Sequence, residues 1–326
     1  MLTDTYNRKH TYLRISLTDR CNLRCFYCMP QEDMQYAPQD SLMQADEIYT
    51  LAETFVKAGV TKIRLTGGEP LLRKDFSDIL QALSFLPVEL TLSTNAVNVH
   101  KHIDALKVAR TSCVNVSLDT LQPDTFLFIA KRDYFNRVQN NIQLLLENDI
   151  RVKINVVVTR GINDGEINDF IAWTKDTPID IRFIEFMPFT GNAWQSNRVF
   201  SKKEILSVIE NYYDFYALPR EQGATANSYK VAGYAGNFCI ISTMTHSFCS
   251  DCNRIRLTSD GKLKNCLFST QETDLLSALR QGKEIETLIQ ACIQSKAKEH
   301  GGQFTSDDTL IHASQITNRS MIAIGG

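Results

Sequence analysis

Thr18-Asp-Arg-Cys21-Asn-Leu-Arg-Cys25-Phe-Tyr-Cys28-Met-Pro30 packs three thiols into a C-x3-C-x2-C loop directly after Tyr12–Leu17, a strand candidate. Soft thiolates at this spacing suit zinc or an iron–sulfur cluster, and both usually take four protein ligands. No fourth Cys or His lies nearby, so a closed zinc site is incomplete. A [4Fe–4S] cluster with one iron open to a small ligand fits the count, with zinc and a distant fourth ligand as the alternative.

Outward from this loop, residues 60 to about 190 alternate short β-branched runs with segments of helical period. The strand candidates are Lys62–Thr66, Glu89–Thr94, Cys113–Leu118, Val152–Thr159 and Asp180–Met187, and helical segments lie between them at Asp75–Leu86, Lys101–Ala109, Arg137–Asn148 and Glu166–Lys175. With Tyr12–Leu17 these make six strands joined by crossover helices, hence a parallel sheet in an α/β fold. Polar or glycine-rich clusters follow several strands at once: Thr66-Gly67-Gly68-Glu69-Pro70, Ser93-Thr94-Asn95 and Ser117-Leu118-Asp119-Thr120. In a parallel barrel or open α/β sheet such clusters converge at the carboxyl ends of the strands, where ligands bind.

The cysteine loop, preceded by Leu13-Arg-Ile-Ser-Leu-Thr-Asp-Arg20, resembles the radical S-adenosylmethionine (SAM) superfamily. That resemblance implies an incomplete (β/α)6 TIM-like barrel. Cys21, Cys25 and Cys28 would hold a [4Fe–4S] cluster whose open iron chelates SAM, and one electron would cleave SAM to a 5′-deoxyadenosyl radical. Gly67-Gly68-Glu69 is similar to the family's glycine-rich loop, where missing side chains let the backbone approach SAM. Tyr27, Gly68, Ser117 and Met187 occupy positions that resemble SAM contacts. Taken singly, each has an ordinary reading as turn, strand-end hydroxyl or core packing.

After about residue 220 the character changes, with Arg220–Gly236 rich in Gly, Ala and polar residues. A boundary there divides the chain into a barrel, residues 1–220, and a smaller C-terminal domain, residues 221–326, of short antiparallel strands followed by helices. Ser259-Asp-Gly261 between Arg254–Thr258 and Lys262–Leu267 is a hairpin signal. Helical period then covers Asp274–Arg280 and Glu284–Ile293. The hairpin brings Cys266 back towards Cys249 and Cys252, a second set of three thiols in C-x2-C-x13-C spacing. His246 could complete a Cys3His zinc site, so spacing alone leaves zinc and iron–sulfur open. Arg254 and Arg256, two apart on a strand, share a face beside the thiols. Paired guanidiniums suit an anionic ligand more than a structural zinc site, unless they form only a solvated charged face.

The two cysteine sets together resemble the GTP 3′,8-cyclase family, and the match runs from the first strand to the last residue. It is carried by the Cys21 loop, Arg64-Leu-Thr-Gly-Gly-Glu-Pro-Leu71, Asn115-Val-Ser-Leu-Asp-Thr-Leu121, Phe248-Cys-Ser-Asp-Cys-Asn-Arg-Ile-Arg-Leu-Thr258 and the terminal Gly325-Gly326. The resemblance implies a second, auxiliary [4Fe–4S] cluster on Cys249, Cys252 and Cys266 that contacts the guanine of GTP. It implies GTP contacts from Arg14, Arg64, Thr94, Lys153, Arg254 and Arg256, and a catalytic tail ending in Gly325 and Gly326. The implied reaction removes the ribose C3′ hydrogen of GTP and joins C3′ to guanine C8, the first step of molybdenum cofactor synthesis. Implied partners are GTP, SAM, a reductant or flavodoxin-like electron donor, a downstream cyclic pyranopterin monophosphate synthase and a second copy in a homodimer. The chain departs from the family pattern at Ala96, where a permissive glycine is usual. The rival readings are a radical SAM peptide-modifying or sulfatase-maturing enzyme and a zinc-stabilised nucleotide- or RNA-binding protein.

Composition fits. The chain has 326 residues, 35 Lys+Arg against 37 Asp+Glu, and a net charge of −2. That balance excludes general attraction to nucleic acid or anionic membrane, so a triphosphate needs local cations. Charges throughout the first 30 residues and the lack of a long apolar run predict a cytoplasmic protein. Of the nine cysteines, Cys113, Cys239 and Cys292 stand alone in apolar surroundings and read as buried thiols.

Overall fold

The computed structural model describes residues 1–29, 36–192, 194–304, 316 and 318–325. The six expected strands form in chain order as β1 (Tyr12–Ser16), β2 (Lys62–Thr66), β3 (Glu89–Thr94), β4 (Cys113–Ser117), β5 (Val152–Val158) and β6 (Asp180–Glu185). Each runs parallel to the next. Parallel neighbours cannot be joined by a tight turn, and the connections hold α1 (Ala45–Lys57), α2 (Phe76–Leu83), α3 (Ile103–Val108), α4 (Pro123–Ala130), α5 (Phe135–Glu147) and α6 (Ile167–Trp173). Their buried stripes, such as Leu51 and Phe55 of α1 or Ile142 and Leu145 of α5, enter one core that extends from Leu2 to Ile293. Pro123 starts α4 where its missing N–H costs nothing, and Lys131 closes the helix in the left-handed region at φ 56°.

Next come α7 (Lys202–Glu210), begun by a Ser201/Glu204 capping box, and β7 (Phe215–Ala217), β8 (Asn227–Val231), β9 (Asn237–Ile241), β10 (Arg254–Leu257), β11 (Lys262–Lys264) and β12 (Thr273–Asp274). Helices α8 (Leu275–Arg280), α9 (Glu286–Gln294) and α10 (Met321–Ile324) complete the described elements. The antiparallel pairs expected beyond residue 220 form, β8 with β9 and β10 with β11. However, β9 also runs parallel to β6, and β10 runs parallel to β1. Phe238–Ile241 and Arg254–Leu257 are buried throughout, as befits strands set within a parallel sheet covered on both faces.

Among the described residues the parallel part therefore reads β10-β1-β2-β3-β4-β5-β6-β9, flanked by antiparallel hairpin strands. Residues 242–253 join its two extreme strands, β9 and β10. A smaller cluster of Phe189, Phe268, Phe304, Ile316 and Ile324 packs beside the main core. No helix among the described residues is long and apolar enough to cross a membrane.

Candidate active site

Alternation along the strands sends every second side chain to the inside of the sheet. Three adjoining cavities lie there among the described residues. The first holds the cysteine loop. Cys21, Cys25, Tyr27 and Cys28 face Gly67, Gly68, Thr94, Asn95, Ser117, Asp119 and Met187 across it. The loop is fastened from two sides: Gly68 N–H donates to Thr18 O at 2.6 Å and Glu69 N–H to Arg20 O at 2.7 Å, while Arg24 N–H reaches Ala130 O and Phe26 N–H reaches Ile129 O at the end of α4. A Cβ on Gly67 would sit 2.7 Å from Thr18 O, and one on Gly68 would collide with Arg20 O. Both glycines are required by this close backbone approach.

Cys21 Sγ accepts from Leu23 N–H at 3.4 Å and from Asn95 Nδ2 at 3.8 Å. Burial pushes its thiol up to about 11, and raises Cys25 and Cys28 well above the ordinary range. Three thiols so desolvated are poor free nucleophiles and suit a cationic metal centre that keeps them ionised. Tyr27 Oη donates to Asp119 Oδ2 at 2.5 Å. Glu69, raised to about 7 by burial, accepts from Thr94 Oγ1 at 2.7 Å and from the N–H groups of Asn95 and Leu71.

The second cavity holds Cys249, Cys252 and Cys266 opposite Arg14, Arg64, Arg182, Arg254 and Arg256. Arg254 Nη2 donates to Cys252 Sγ at 3.4 Å, its guanidinium lying 4.6 Å over the Phe248 ring. Lys296 Nζ is 3.5 Å from the same sulfur. Burial alone would raise Cys252, but the Arg254 and Lys296 charges outweigh it and bring the thiol down to about 5. Cys249, by contrast, is raised by burial. Burial and the neighbouring arginines lower Arg14 to about 10 and hold Arg256 well below the ordinary range. Among the described residues Arg14 Nε is buried without a hydrogen-bond partner. This density of mutually repelling guanidiniums asks for a polyanion.

The third cavity, about 650 Å3, continues towards the amino ends of the strands and adds Lys62, Arg151 and Lys153. Asp180 pairs with Arg151 at 2.7 Å and Lys153 at 3.4 Å, and Glu89 pairs with Lys62 at 2.9 Å. The first two cavities share Ser93, Asn155, Ile184, Met187 and Met321, and the second and third share Arg14, Arg64, Arg182, Thr225 and Arg254. Ligands in neighbouring cavities would thus touch.

The tail enters this space. Arg256 Nη1 donates to Gly325 O, and a Cβ on Gly325, at φ 84°, would meet Thr66 Oγ1 at 2.5 Å and Ser16 Cβ at 2.9 Å. Gly326 lies outside the described residues. Arg14, Arg64, Lys153, Arg254 and Arg256 come together, but Thr94 faces the first cavity with its hydroxyl engaged by Glu69 and Ala96 N–H. Ala96 adopts the left-handed φ of 62° that explains a glycine there, and Asn141 Nδ2 holds its carbonyl at 2.7 Å.

His246 is exposed and lines none of the three cavities, whereas His300 lines the second. Among the described residues no group of three His, Cys, Asp or Glu is gathered closely enough to hold a single metal ion. Sequence reasoning missed Lys62 and Arg182, although two-residue alternation from Arg64 and Ile184 points to them. It also missed Met321, His300 and Lys296, for which no local pattern exists. The amino-terminal residues were missed too. Arg8, buried with Asp4 at 2.6 Å, donates to the carbonyls of Cys249 (2.9 Å), Ala297 (2.8 Å) and Lys298 (2.6 Å).

A family model described as Radical SAM superfamily matches residues 15–174, and one described as Molybdenum Cofactor Synthesis C matches residues 179–302. The chain is 44% identical to mouse molybdenum cofactor biosynthesis protein 1, covering 99% of itself and 51% of that protein. It thus spans about half the length of the first curated relatives it matches. It is 42% identical to the mitochondrial GTP 3′,8-cyclase of Arabidopsis thaliana over 100% of itself and 84% of that protein. With the GTP 3′,8-cyclase of Listeria monocytogenes it shares 36% identity over 100% of itself and 99% of the relative. Among solved structures, Streptococcus suis SuiB bound to S-adenosylmethionine superposes with a TM-score of 0.62 at 15% identity, covering 89% of this chain and 68% of that one, which is a likeness of fold.

Proposed function

We propose that this chain, which belongs to the GTP 3′,8-cyclase family within the radical SAM superfamily, converts GTP to (8S)-3′,8-cyclo-7,8-dihydroguanosine 5′-triphosphate, the first step of molybdenum cofactor synthesis. The observation that carries this reading is the adjacency of two three-thiol sets across a wall shared by their cavities, with five arginines around the second. Cys21, Cys25 and Cys28 would hold one [4Fe–4S] cluster, and Cys249, Cys252 and Cys266 an auxiliary one. When bound, the first cluster with SAM supplies a carbon radical able to take the ribose C3′ hydrogen, and the auxiliary one supplies an open iron for guanine.

The chain's own residues face a positioning problem: C3′ must lie against the reactive carbon, and guanine C8 against C3′. Tyr27, Gly68, Ser117 and Met187 bound the space for SAM. Arg14, Arg64, Arg254 and Arg256, joined by Arg182, Lys62 and Lys153 in the third cavity, offer forked and point charges to the triphosphate. Thr94 supports the SAM side by fixing Glu69. Met187 and Met321 bring apolar surface to the wall shared by the two cavities and exclude water from a reactive intermediate. The tail reaches the same space through the Arg256 bond to Gly325. An electron donor, a homodimeric state and a downstream cyclic pyranopterin monophosphate synthase belong to the same proposal.

Anaerobically reconstituted protein given reductant, SAM and GTP should form the cyclic nucleotide together with 5′-deoxyadenosine. Formation of 5′-deoxyadenosine with GTP left intact would sink the proposal. Two cubane clusters also predict about eight iron and eight sulfide per chain. A colourless protein with two zinc ions after anaerobic isolation would favour a binding module instead.

A further inference from the structure

We propose that Lys296 is a positioning residue for the second cysteine set: its ammonium group, hydrogen-bonded to the Cys252 sulfur, holds the centre there at a more positive reduction potential than the thiolates alone would set. The proposal rests on the reading that Cys249, Cys252 and Cys266 carry an iron–sulfur cluster.

Lys296 follows α9 and is 3% exposed. Its Nζ donates to Arg254 O at 2.9 Å and to Cys252 Sγ at 3.5 Å. Among the described residues no carboxylate forms an ion pair with it. A buried ammonium requires a counter-charge, and the sulfur of Cys252 is the anionic group within reach. Its placement is fixed independently, because Arg8 clamps the carbonyls of the two following residues, Ala297 and Lys298.

The arrangement is lopsided. Cys252 receives two cationic donors, Lys296 and Arg254, whereas among the described residues no cationic side chain donates to the sulfur of Cys249 or Cys266. An N–H···S bond withdraws electron density from the sulfur, and a nearby positive charge stabilises the reduced, more negative state of a cluster over its oxidised state. Both effects move the potential upward. Arg254 also faces the second and third cavities, so its loss would mix redox and ligand effects. Lys296 lines none of the three cavities, so it reaches the site indirectly, through the Cys252 sulfur and the Arg254 carbonyl.

The test uses the full chain, reconstituted anaerobically with Cys21, Cys25 and Cys28 replaced by Ala so that only the second set titrates. Iron and sulfide content and an EPR-monitored redox titration are compared for native Lys296, Lys296→Met and Lys296→Arg. The expected result is iron retention in Lys296→Met, a midpoint shifted negative, and return towards the native midpoint in Lys296→Arg. A Lys296→Met midpoint that is unchanged or more positive, or a Lys296→Arg midpoint that stays with that of Lys296→Met, overturns the proposal. If Lys296→Met loses its iron, recovery of iron at a native-like midpoint in Lys296→Arg supports the proposal, and failure to recover it overturns it. Lack of iron in the protein with native Lys296 overturns the iron–sulfur reading and the proposal together.

Discussion

Replacing Arg8 by Met should loosen the second cysteine loop while leaving the first untouched. The side chain keeps similar bulk, but its loss leaves the carbonyls of Cys249, Ala297 and Lys298 without the donor that now meets each at 2.6–2.9 Å. Unsatisfied buried groups cost roughly 1–3 kcal/mol each, which puts the penalty for three at about 3–9 kcal/mol. The Asp4 carboxylate, although it keeps His10 and two backbone N–H groups, also loses its guanidinium. Set against a typical folding stability of about 5–15 kcal/mol, such a cost is met most cheaply by local opening. Hydrogen exchange followed by mass spectrometry should therefore speed up by about 100-fold or more in peptides covering residues 245–255 and 294–300. Peptides covering residues 18–29 should keep their native rates, and iron loss should be confined to the second set. Native exchange in both affected peptides would refute the claim that Arg8 ties the amino terminus to this loop.

Three further outcomes follow from the structure. Burial, helped by the Lys296 charge and opposed by Asp4, lowers His10 from 6.5 to about 4. The unfolded chain then binds the extra proton between those values, so about 3 kcal/mol of stability present above pH 6.5 drains away as pH falls towards 4. The urea midpoint of His10→Gln should fall less steeply than native between pH 7 and 4.5, and equal slopes would count against this. Ala96→Gly should be neutral within about 1 kcal/mol, because relief of the left-handed conformation offsets the lost buried methyl and the greater freedom of the unfolded chain; a loss above about 2 kcal/mol by urea unfolding would contradict it. Gly325→Ala should drive the tail away from Thr66 and Ser16 and break the Arg256 contact. Turnover of GTP should drop at least about tenfold, or about 1.4 kcal/mol, with iron content and thermal midpoint unchanged. Native turnover would refute it.

The strands of the barrel were legible because each is a short apolar run with its own turn signals: the expected Lys62–Thr66 and Glu89–Thr94 are the observed β2 and β3, and the other four end within two residues of expectation. Such local signals say nothing about which distant strand lies alongside. That is why the parallel partnerships of β9 with β6 and β10 with β1 went unforeseen, although the hairpin at Gly261 was visible. The same distinction divides the site. Clustered thiols and paired arginines announce themselves by spacing, whereas Lys296 and Arg8 matter only because the fold brings them to Cys252 and Cys249. Neither has a local pattern, and an amino-terminal arginine would ordinarily be read as part of a frayed end.

The segment from residue 242 to residue 253 leaves one margin of the parallel strands and arrives at the other. Its contour is finite, at most roughly 3.3–3.6 Å per residue. The gape between those margins is therefore rationed by the length of one short stretch of chain, and Cys249 and Cys252 lie on it. Insertions in the outer helix connections can be absorbed at the surface, but an insertion here would change the breadth of the space that holds the cavities. Variation in this length between relatives is thus where a difference in the size of admitted substrate would first be written.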